Sequence, residues 1–314
     1  MSASRPLVIA HRGASGYLPE HTLAAKALAH ACGADFLEQD VVATADDELV
    51  VLHDIHLDRV TDVATVFPGR SRVDGRYYVR DFSMAELRRL RVTERVGEDG
   101  RAVYPGRYPA HSGEFRVHTL AEELALVAEL NRSLGRTAGV YPEIKRPAWH
   151  REEGVDLAAR LLAVLEEHGY AREDDPVRVQ CFDAAEVRRL REELGCRMPV
   201  VQLIGDNAWG ESSTDYDALR KPDGLARVAG FADAIGPWLE HCYALEDGRP
   251  VATSLVGDAH AAGLDVHPYT VRADSLPPGF TSHDALVAFC ADELGVDGLF
   301  TDFPDRTLLV LEQR

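Results

Sequence analysis

Short apolar runs that alternate with stretches of helical spacing constrain this chain more than any other feature. The runs occupy residues 7–10, 36–42, 49–52, 139–142, 177–182, 200–204, 232–236, 264–269 and 298–301. Such alternation is the pattern of βαβ units and a parallel sheet. One run does not fit. Only Ala43-Thr44-Ala45-Asp46-Asp47-Glu48 separates the second run from the third, and a parallel crossover needs about a dozen residues. The third run is therefore expected to return antiparallel, as the arm of a hairpin. Eight strands remain, the number that closes a TIM (β/α)8 barrel.

The chain has 314 residues, more than the roughly 250 typical of one such barrel. The excess suits a single domain over 1–314 with one insertion better than a second full domain. Residues 55–115 break the rhythm. They are rich in Arg, Gly, Pro and Tyr, with one helical pattern at 84–90. This segment reads as a small insertion between barrel strands 2 and 3, lying over the catalytic mouth; a surface excursion without function is the alternative. Ser83 with Glu86, and Thr119 with Glu122, form two capping-box patterns. Residues 153–168 and 184–194 carry the three-and-four apolar spacing of outer helices.

Composition narrows the partners. Hydrophobic residues make up 46% and charged residues 27%, a balance expected of a soluble globular enzyme. Five cysteines without a CxxC pair read as small buried thiols in a reducing compartment. The formal net charge of −18 repels nucleic acid and anionic membrane, so no nucleic-acid partner and no stable membrane association are expected. A divalent cation is not repelled. The apolar stretch at 7–10 is too short for a signal-peptide core, and no segment reaches the ~20 apolar residues of a membrane helix. The expected address is cytoplasmic, unless a leader was removed. The oligomeric state is left open.

Active sites of such barrels lie at the C-terminal ends of the strands, and these ends carry the chemistry. The first strand runs into His11-Arg12-Gly13, the second carries Glu38-Gln39-Asp40, the hairpin arm ends in His53-Asp54, and the next strand carries Glu143-Ile144-Lys145. Glu38 and Asp40 are two apart and so share the inward face of a strand. Buried together they repel unless a cation joins them, and Glu143 supplies a third carboxylate. An all-oxygen set favours a hard ion, Ca²⁺ or Mg²⁺, over Zn²⁺. The competing reading is an internal salt bridge with Lys145 and Arg12. A hairpin turn at Asp46-Asp47 would set residue 53 opposite residue 40, placing His53 beside the metal, with His11 reaching the same mouth. Two imidazoles there can act as general base and general acid. Arg12 can fork onto phosphate oxygens and Lys145 can add a point charge. Glu20 could orient Arg12 or a histidine, while Thr22 could be a helix N-cap. Asp302 is as compatible with capping a loop as with function. The remaining histidines read as structural or solvent-facing.

Taken in order and spacing, His11-Arg12-Gly13, Pro19-Glu20, Glu38-x-Asp40, His53-Asp54 and Glu143-x-Lys145 resemble the glycerophosphodiester phosphodiesterase family, most closely its periplasmic calcium-dependent branch. The resemblance implies a barrel of the phospholipase-C-like phosphodiesterase type. It implies Glu38, Asp40 and Glu143 as metal ligands, His11 and His53 as acid and base, and Arg12 on phosphate. The implied reaction releases sn-glycerol 3-phosphate and an alcohol such as choline or ethanolamine from a small glycerophosphodiester. The nucleophile is either the glycerol 2-hydroxyl or water. Gln180, Tyr269 and Phe303, at later strand ends, are candidates for contacts to glycerol. The chain departs from the family pattern at His21, often Asn, at Cys181, often Ser, and at His267-Pro268-Tyr269, where a Trp is common. Two other readings are a lysophospholipid or phosphoinositide phosphodiesterase on the same barrel, and a protein that binds glycerophosphodiesters without turnover. A third is a scaffold whose carboxylates form only salt bridges.

Overall fold

The structure is a computed structural model, and it describes residues 5–314. Its strands, in chain order, are β1 (Leu7–Ala10), β2 (Phe36–Ala43), β3 (Leu49–Val51), β4 (Arg91–Val92), β5 (Phe115–Arg116), β6 (Gly139–Ile144) and β7 (Val179–Cys181). They continue with β8 (Val200–Ile204), β9 (Ala234–Pro237), β10 (Tyr243–Glu246), β11 (Arg249–Ala252), β12 (Asp265–Val266) and β13 (Gly298–Thr301). Eight of them lie parallel in the order β12-β9-β8-β7-β6-β2-β1-β13. The seam between the first and last closes through scattered backbone bonds, among them Asp297 N–H to Val266 (3.0 Å), Phe300 N–H to Pro268 (3.1 Å) and Val271 N–H to Phe300 (2.8 Å). The result is a nearly closed (β/α)8 barrel.

Barrel strands are buried on both faces, which is why they read as continuous apolar runs rather than alternating ones. Most of the apolar core lies between this barrel and its ring of helices. The inward layer is small and aromatic: Ile9, Tyr141, Val201, Ala234 and Phe300 pack together. The helices obey their local signals. Thr22 caps Leu23–Ala31 by accepting from the Ala25 N–H at 3.1 Å, and both capping boxes form. The pattern at 153–168 resolves into a helix only from Leu157 to Glu167, capped by Asp156. Gly154, at φ +83°, ends the short preceding turn and forces the restart.

The six-residue gap behaves as expected, for β3 pairs antiparallel with β2. The register differs by one from the expected pairing. Val41 faces Val51, so residue 40 lies opposite 52, and the Leu52 N–H reaches the Asp40 carbonyl at 2.9 Å. The cause is a three-residue loop ending at Asp47 in the left-handed region, φ +61°, rather than a symmetric turn at 46–47.

Residues 55–115 carry only short elements, and β4 closes the segment by pairing with β5. Its apolar side chains, among them Leu57, Phe82 and Leu87, form a second cluster on the outward residues Val42 and Val50. This segment is thereby seated on the β2–β3 hairpin. A further hairpin, β10–β11, was not anticipated from the sequence, although its Asp247-Gly248 turn, both at positive φ, is a recognised hairpin signal. Among the described residues no helix is long and apolar enough to cross a membrane. All five cysteines are free.

Candidate active site

Three carboxylates converge at the C-terminal end of the barrel. Glu38 and Asp40 project from β2, and the register sets Asp40 directly beside Glu143 of β6. One oxygen from each lies within 4.8 Å of the others, the one such group of three potential ligands among the described residues. All three are at most 5% exposed. Burial and the neighbouring Asp40 push Glu38 up to about 8. Burial, with Asp40 again, pushes Glu143 well above the carboxylate range. Burial acts on Asp40 in the same direction, but Lys145, His21 and His53 outweigh it and hold Asp40 well below its ordinary value.

This arrangement weighs the salt-bridge reading against the metal reading. Lys145 does contact Glu143 (2.8 Å) and lies 3.7 Å from Asp40. Arg12 is 3.6 Å from Asp40 but is engaged by Glu20 at 2.9 Å. Two cations, one already shared, do not neutralise three buried carboxylates, and the Asp40 Oδ1 has no hydrogen-bond partner. Three buried carboxyls, two of them driven toward the protonated state for want of counter-charge, form an all-oxygen set that fits a hard divalent cation.

The strand end after β1 is bent back sharply. Arg12 adopts φ +59° and Gly13 φ +90°, which aims the Arg12 N–H at Glu38 (2.8 Å). A Cβ on Gly13 would come within 2.9 Å of the Ala25 backbone, so only glycine fits this bend. Behind β2, a buried lysine holds the strand: Lys26 Nζ donates to the Glu38 carbonyl and pairs with Glu123 at 2.7 Å. Sequence reasoning missed that pair because its members lie 97 residues apart in different helices.

The two histidines are built alike. His11 Nδ1 lies 2.6 Å from Asp302 Oδ1, and His53 Nδ1 lies 2.7 Å from Asp54 Oδ1. An ionised carboxylate only accepts, so each Nδ1 carries the proton and each Nε2 is left for chemistry. Burial, reinforced by Arg12, lowers His11 to about 4 and His53 to about 3. Both imidazoles are then neutral near pH 7. The aspartates are gripped in turn by arginines of the insertion: Arg95 donates to Asp54 at 2.6 Å and Arg107 to Asp302 at 2.6 Å. Arg272 adds a second bond to Asp302 at 2.8 Å. Arg95 also clasps Glu20, which connects it to Arg12. Neither insertion arginine was singled out from the sequence. Nothing in their local spacing separates them from the other arginines of that segment.

These groups line one pocket. Its innermost part, about 60 Å³, is bounded by His11, Arg12, His53, Lys145 and the three carboxylates, with Phe182, Tyr269 and Phe300 completing the wall. Gln180 lines it too, but its amide donates to Glu38 at 3.0 Å, so it steadies a carboxylate. Tyr269 presents its ring, since its hydroxyl is bonded to the Ile204 carbonyl (3.1 Å). Phe303 corrects the sequence expectation. Its ring turns away from the pocket to pack on Tyr17 at 5.2 Å and against Gly16, and the inward phenyl is that of Phe300. His21, at the position noted as a departure, donates its Nε2–H to Asp40 Oδ2 at 2.6 Å. Other histidines serve the frame, as His267 does on Tyr141 (2.9 Å) and His30 on Asn131 (2.9 Å).

Known proteins resemble this chain in sequence and fold. The sequence model of the glycerophosphoryl diester phosphodiesterase family matches residues 11–306. A glycerophosphodiester phosphodiesterase of Haemophilus influenzae is 43% identical over 322 residues, covering 96% of this chain and 88% of the relative. One from Treponema pallidum is 37% identical, covering 96% and 91%. A solved structure from Silicibacter pomeroyi assigned to the same family superposes with a TM-score of 0.75 at 28% identity, covering 99% of this chain and 94% of the other.

Proposed function

The chain belongs to the glycerophosphoryl diester phosphodiesterase family and is an enzyme of that class, and from this premise we propose that it cleaves glycerophosphodiesters to sn-glycerol 3-phosphate and an alcohol by metal-dependent, two-histidine acid–base catalysis. The observation that carries the reading is the pairing of two carboxylate-held imidazoles with a buried carboxylate trio in one pocket. Glu38, Asp40 and Glu143 would hold a hard divalent cation, Ca²⁺ or Mg²⁺. Once bound, such an ion supplies charge neutralisation and polarises a phosphoryl oxygen.

The protein's own residues do the rest. Arg12 and Lys145 receive the non-bridging phosphate oxygens. One imidazole takes at Nε2 the proton of the nucleophile, either water or the glycerol 2-hydroxyl, while its Nδ1–H stays on the aspartate and steadies the imidazolium that forms. The other, protonated at Nε2, gives its proton to the departing alcohol oxygen. After attack by the 2-hydroxyl, a water opens the cyclic phosphate with the two roles exchanged. Neutral imidazoles suit the first role directly. The second needs the approaching phosphate anion to raise the affinity of that imidazole for a proton.

The test is release of sn-glycerol 3-phosphate from glycerophosphocholine, with EDTA and then with Ca²⁺ or Mg²⁺ restored. Activity should vanish on chelation and return with one ion. Absence of turnover with every ion, on glycerophosphoethanolamine and glycerophosphoglycerol as well, would remove the reading.

The arginine of the insertion that holds Asp302 makes a separate expectation. Arg107→Met should lower kcat roughly tenfold with little change in KM, because a loosened aspartate misaims His11 while Arg272 still holds it in part. Arg107→Lys should recover part of the loss. A wild-type kcat in Arg107→Met would show that the insertion has no part in orienting His11.

A further inference from the structure

Outside the innermost pocket the mouth widens into a cavity of about 480 Å³, which shares His11, Arg12, His53, Lys145, Phe182 and Tyr269 with it. Its outer wall is of a different chemistry, built by Trp209, Glu211, Trp238 and Glu240. We propose that this outer cavity receives the leaving alcohol and selects a cationic amino alcohol, of the choline or ethanolamine type, over a neutral or anionic one. The proposal rests on the glycerophosphodiester reading of the inner site and adds the headgroup class to it.

Two indole rings come from loops after neighbouring strands. Trp209 ends the turn Asn207–Trp209 that follows β8, and Trp238 follows β9 directly. Their centroids lie 5.1 Å apart with the planes at 58°, an open angle rather than a closed stack. Trp209 remains 41% exposed. It is held at the mouth by Gly205, where a Cβ would come within 2.9 Å of the indole. Both indoles line the cavity, and the face of an indole is the preferred surface for an alkylammonium group.

The balance of charge points the same way. The cations bordering the cavity are committed: Arg272 to Asp302 (2.8 Å), Lys145 to Glu143 (2.8 Å) and Arg12 to Glu20 (2.9 Å). The carboxylates of the outer wall are not. Glu211 has only a long 3.5 Å approach to Arg146. Among the described residues Glu240 has neither an ion pair nor a side-chain hydrogen bond, though it is only partly exposed beside Trp238. With an ion on the carboxylate trio, the inner site would present that ion, Arg12 and Lys145 to the phosphate, while the wall one step outward is acidic and aromatic. A diester of an amino alcohol has the same polarity, an anionic phosphate joined by two carbons to a cation.

The test compares kcat/KM on glycerophosphocholine and on glycerophosphoglycerol, whose headgroup is neutral. Wild type should prefer the choline ester by about tenfold, the scale of a desolvated cation–π contact. Trp238→Ala should cut that ratio about fivefold, Trp238→Phe should restore most of it, and Glu240→Gln should cut it about threefold. Glu240→Gln keeps the side chain's shape at a partly exposed position, so it guards against a tryptophan variant that fails to fold. Equal kcat/KM on the two diesters, or a ratio unmoved by both Trp238→Ala and Glu240→Gln, would overturn the proposal while leaving the hydrolytic reading intact. If no diester were turned over, the hydrolytic reading would fail instead. Tetramethylammonium would then decide the cavity: a change in tryptophan emission that is lost in Trp238→Ala supports it, and no change overturns it.

Discussion

Replacing His11 or His53 by alanine should lower kcat by about 10³-fold, within the range that a single positioned acid or base contributes, and the double variant should lose little more than either single one. The reason lies in the shared pocket. Each imidazole has one nitrogen fixed on an aspartate, 2.6 Å from Asp302 for His11 and 2.7 Å from Asp54 for His53. Each therefore offers a single Nε2, and among the described residues no other imidazole lines the innermost cavity. With one missing, the proton cycle is broken at one end, and the remaining partner has nothing to hand its proton to. Steady-state kinetics with saturating divalent ion measures this. A thermal shift on adding the ion, retained in both variants, would separate loss of proton transfer from loss of the metal site. A decline of less than tenfold in either variant would mean that another group, or solvent, carries that proton.

Much of this arrangement was legible in the residues, and the parts that were not share a physical cause. Chemistry that sits at strand ends can be read, because a strand's period of two and the barrel's catalytic face determine where Glu38, Asp40 and Glu143 point. The hairpin arm bearing His53 followed from the six residues before it, too few for a crossover. Its register slipped by one because the conformation of Asp47, not the count of residues, decides how the turn closes. Phe303 points elsewhere than expected for a related reason. The chain leaves β13 at Thr301, and from there side chains no longer alternate as on a strand, so Phe300 faces the pocket and Phe303 does not. Contacts made across long separations left no local trace. Arg95 and Arg107 reach Asp54 and Asp302 from an irregular segment, and Lys26 finds Glu123 between two helices. Asp302 was visible at the mouth, yet only its bond to His11 distinguishes it from a loop cap.

The carboxylate trio gives the second large expectation, in which stability and activity move in opposite directions. Glu38 is held by the Arg12 N–H and the Gln180 amide, and Gln180 Oε1 has no partner of its own. A glutamine at position 38 could satisfy both neighbours if the Gln180 amide turned over, so Glu38→Gln should fold. Without metal, burial and Asp40 raise the Glu38 carboxyl to about 8. A carboxyl whose folded value is raised stabilises the fold below its unfolded value of about 4.5 and loses that contribution as pH rises through the folded value. In EDTA, wild type should therefore lose stability between roughly pH 5 and pH 8 relative to Glu38→Gln, whose side chain stays neutral throughout. Adding an ion at about 100 times its dissociation constant should stabilise wild type by about 2.7 kcal/mol, a rise of roughly 5 °C for a chain of this size. Glu38→Gln should show little of that rise, and its kcat/KM should fall by more than about 100-fold, the loss reached even by outer partners of metal ligands. The competing salt-bridge arrangement predicts the reverse in EDTA, since removing a carboxylate would then leave Arg12 and Lys145 with less to pair with. Melting temperatures of both proteins across pH 5 to 8, with and without the ion, decide between them. A variant less stable than wild type in EDTA at pH 8, with no response to metal in either protein, would establish the trio as a structural ion-pair cluster.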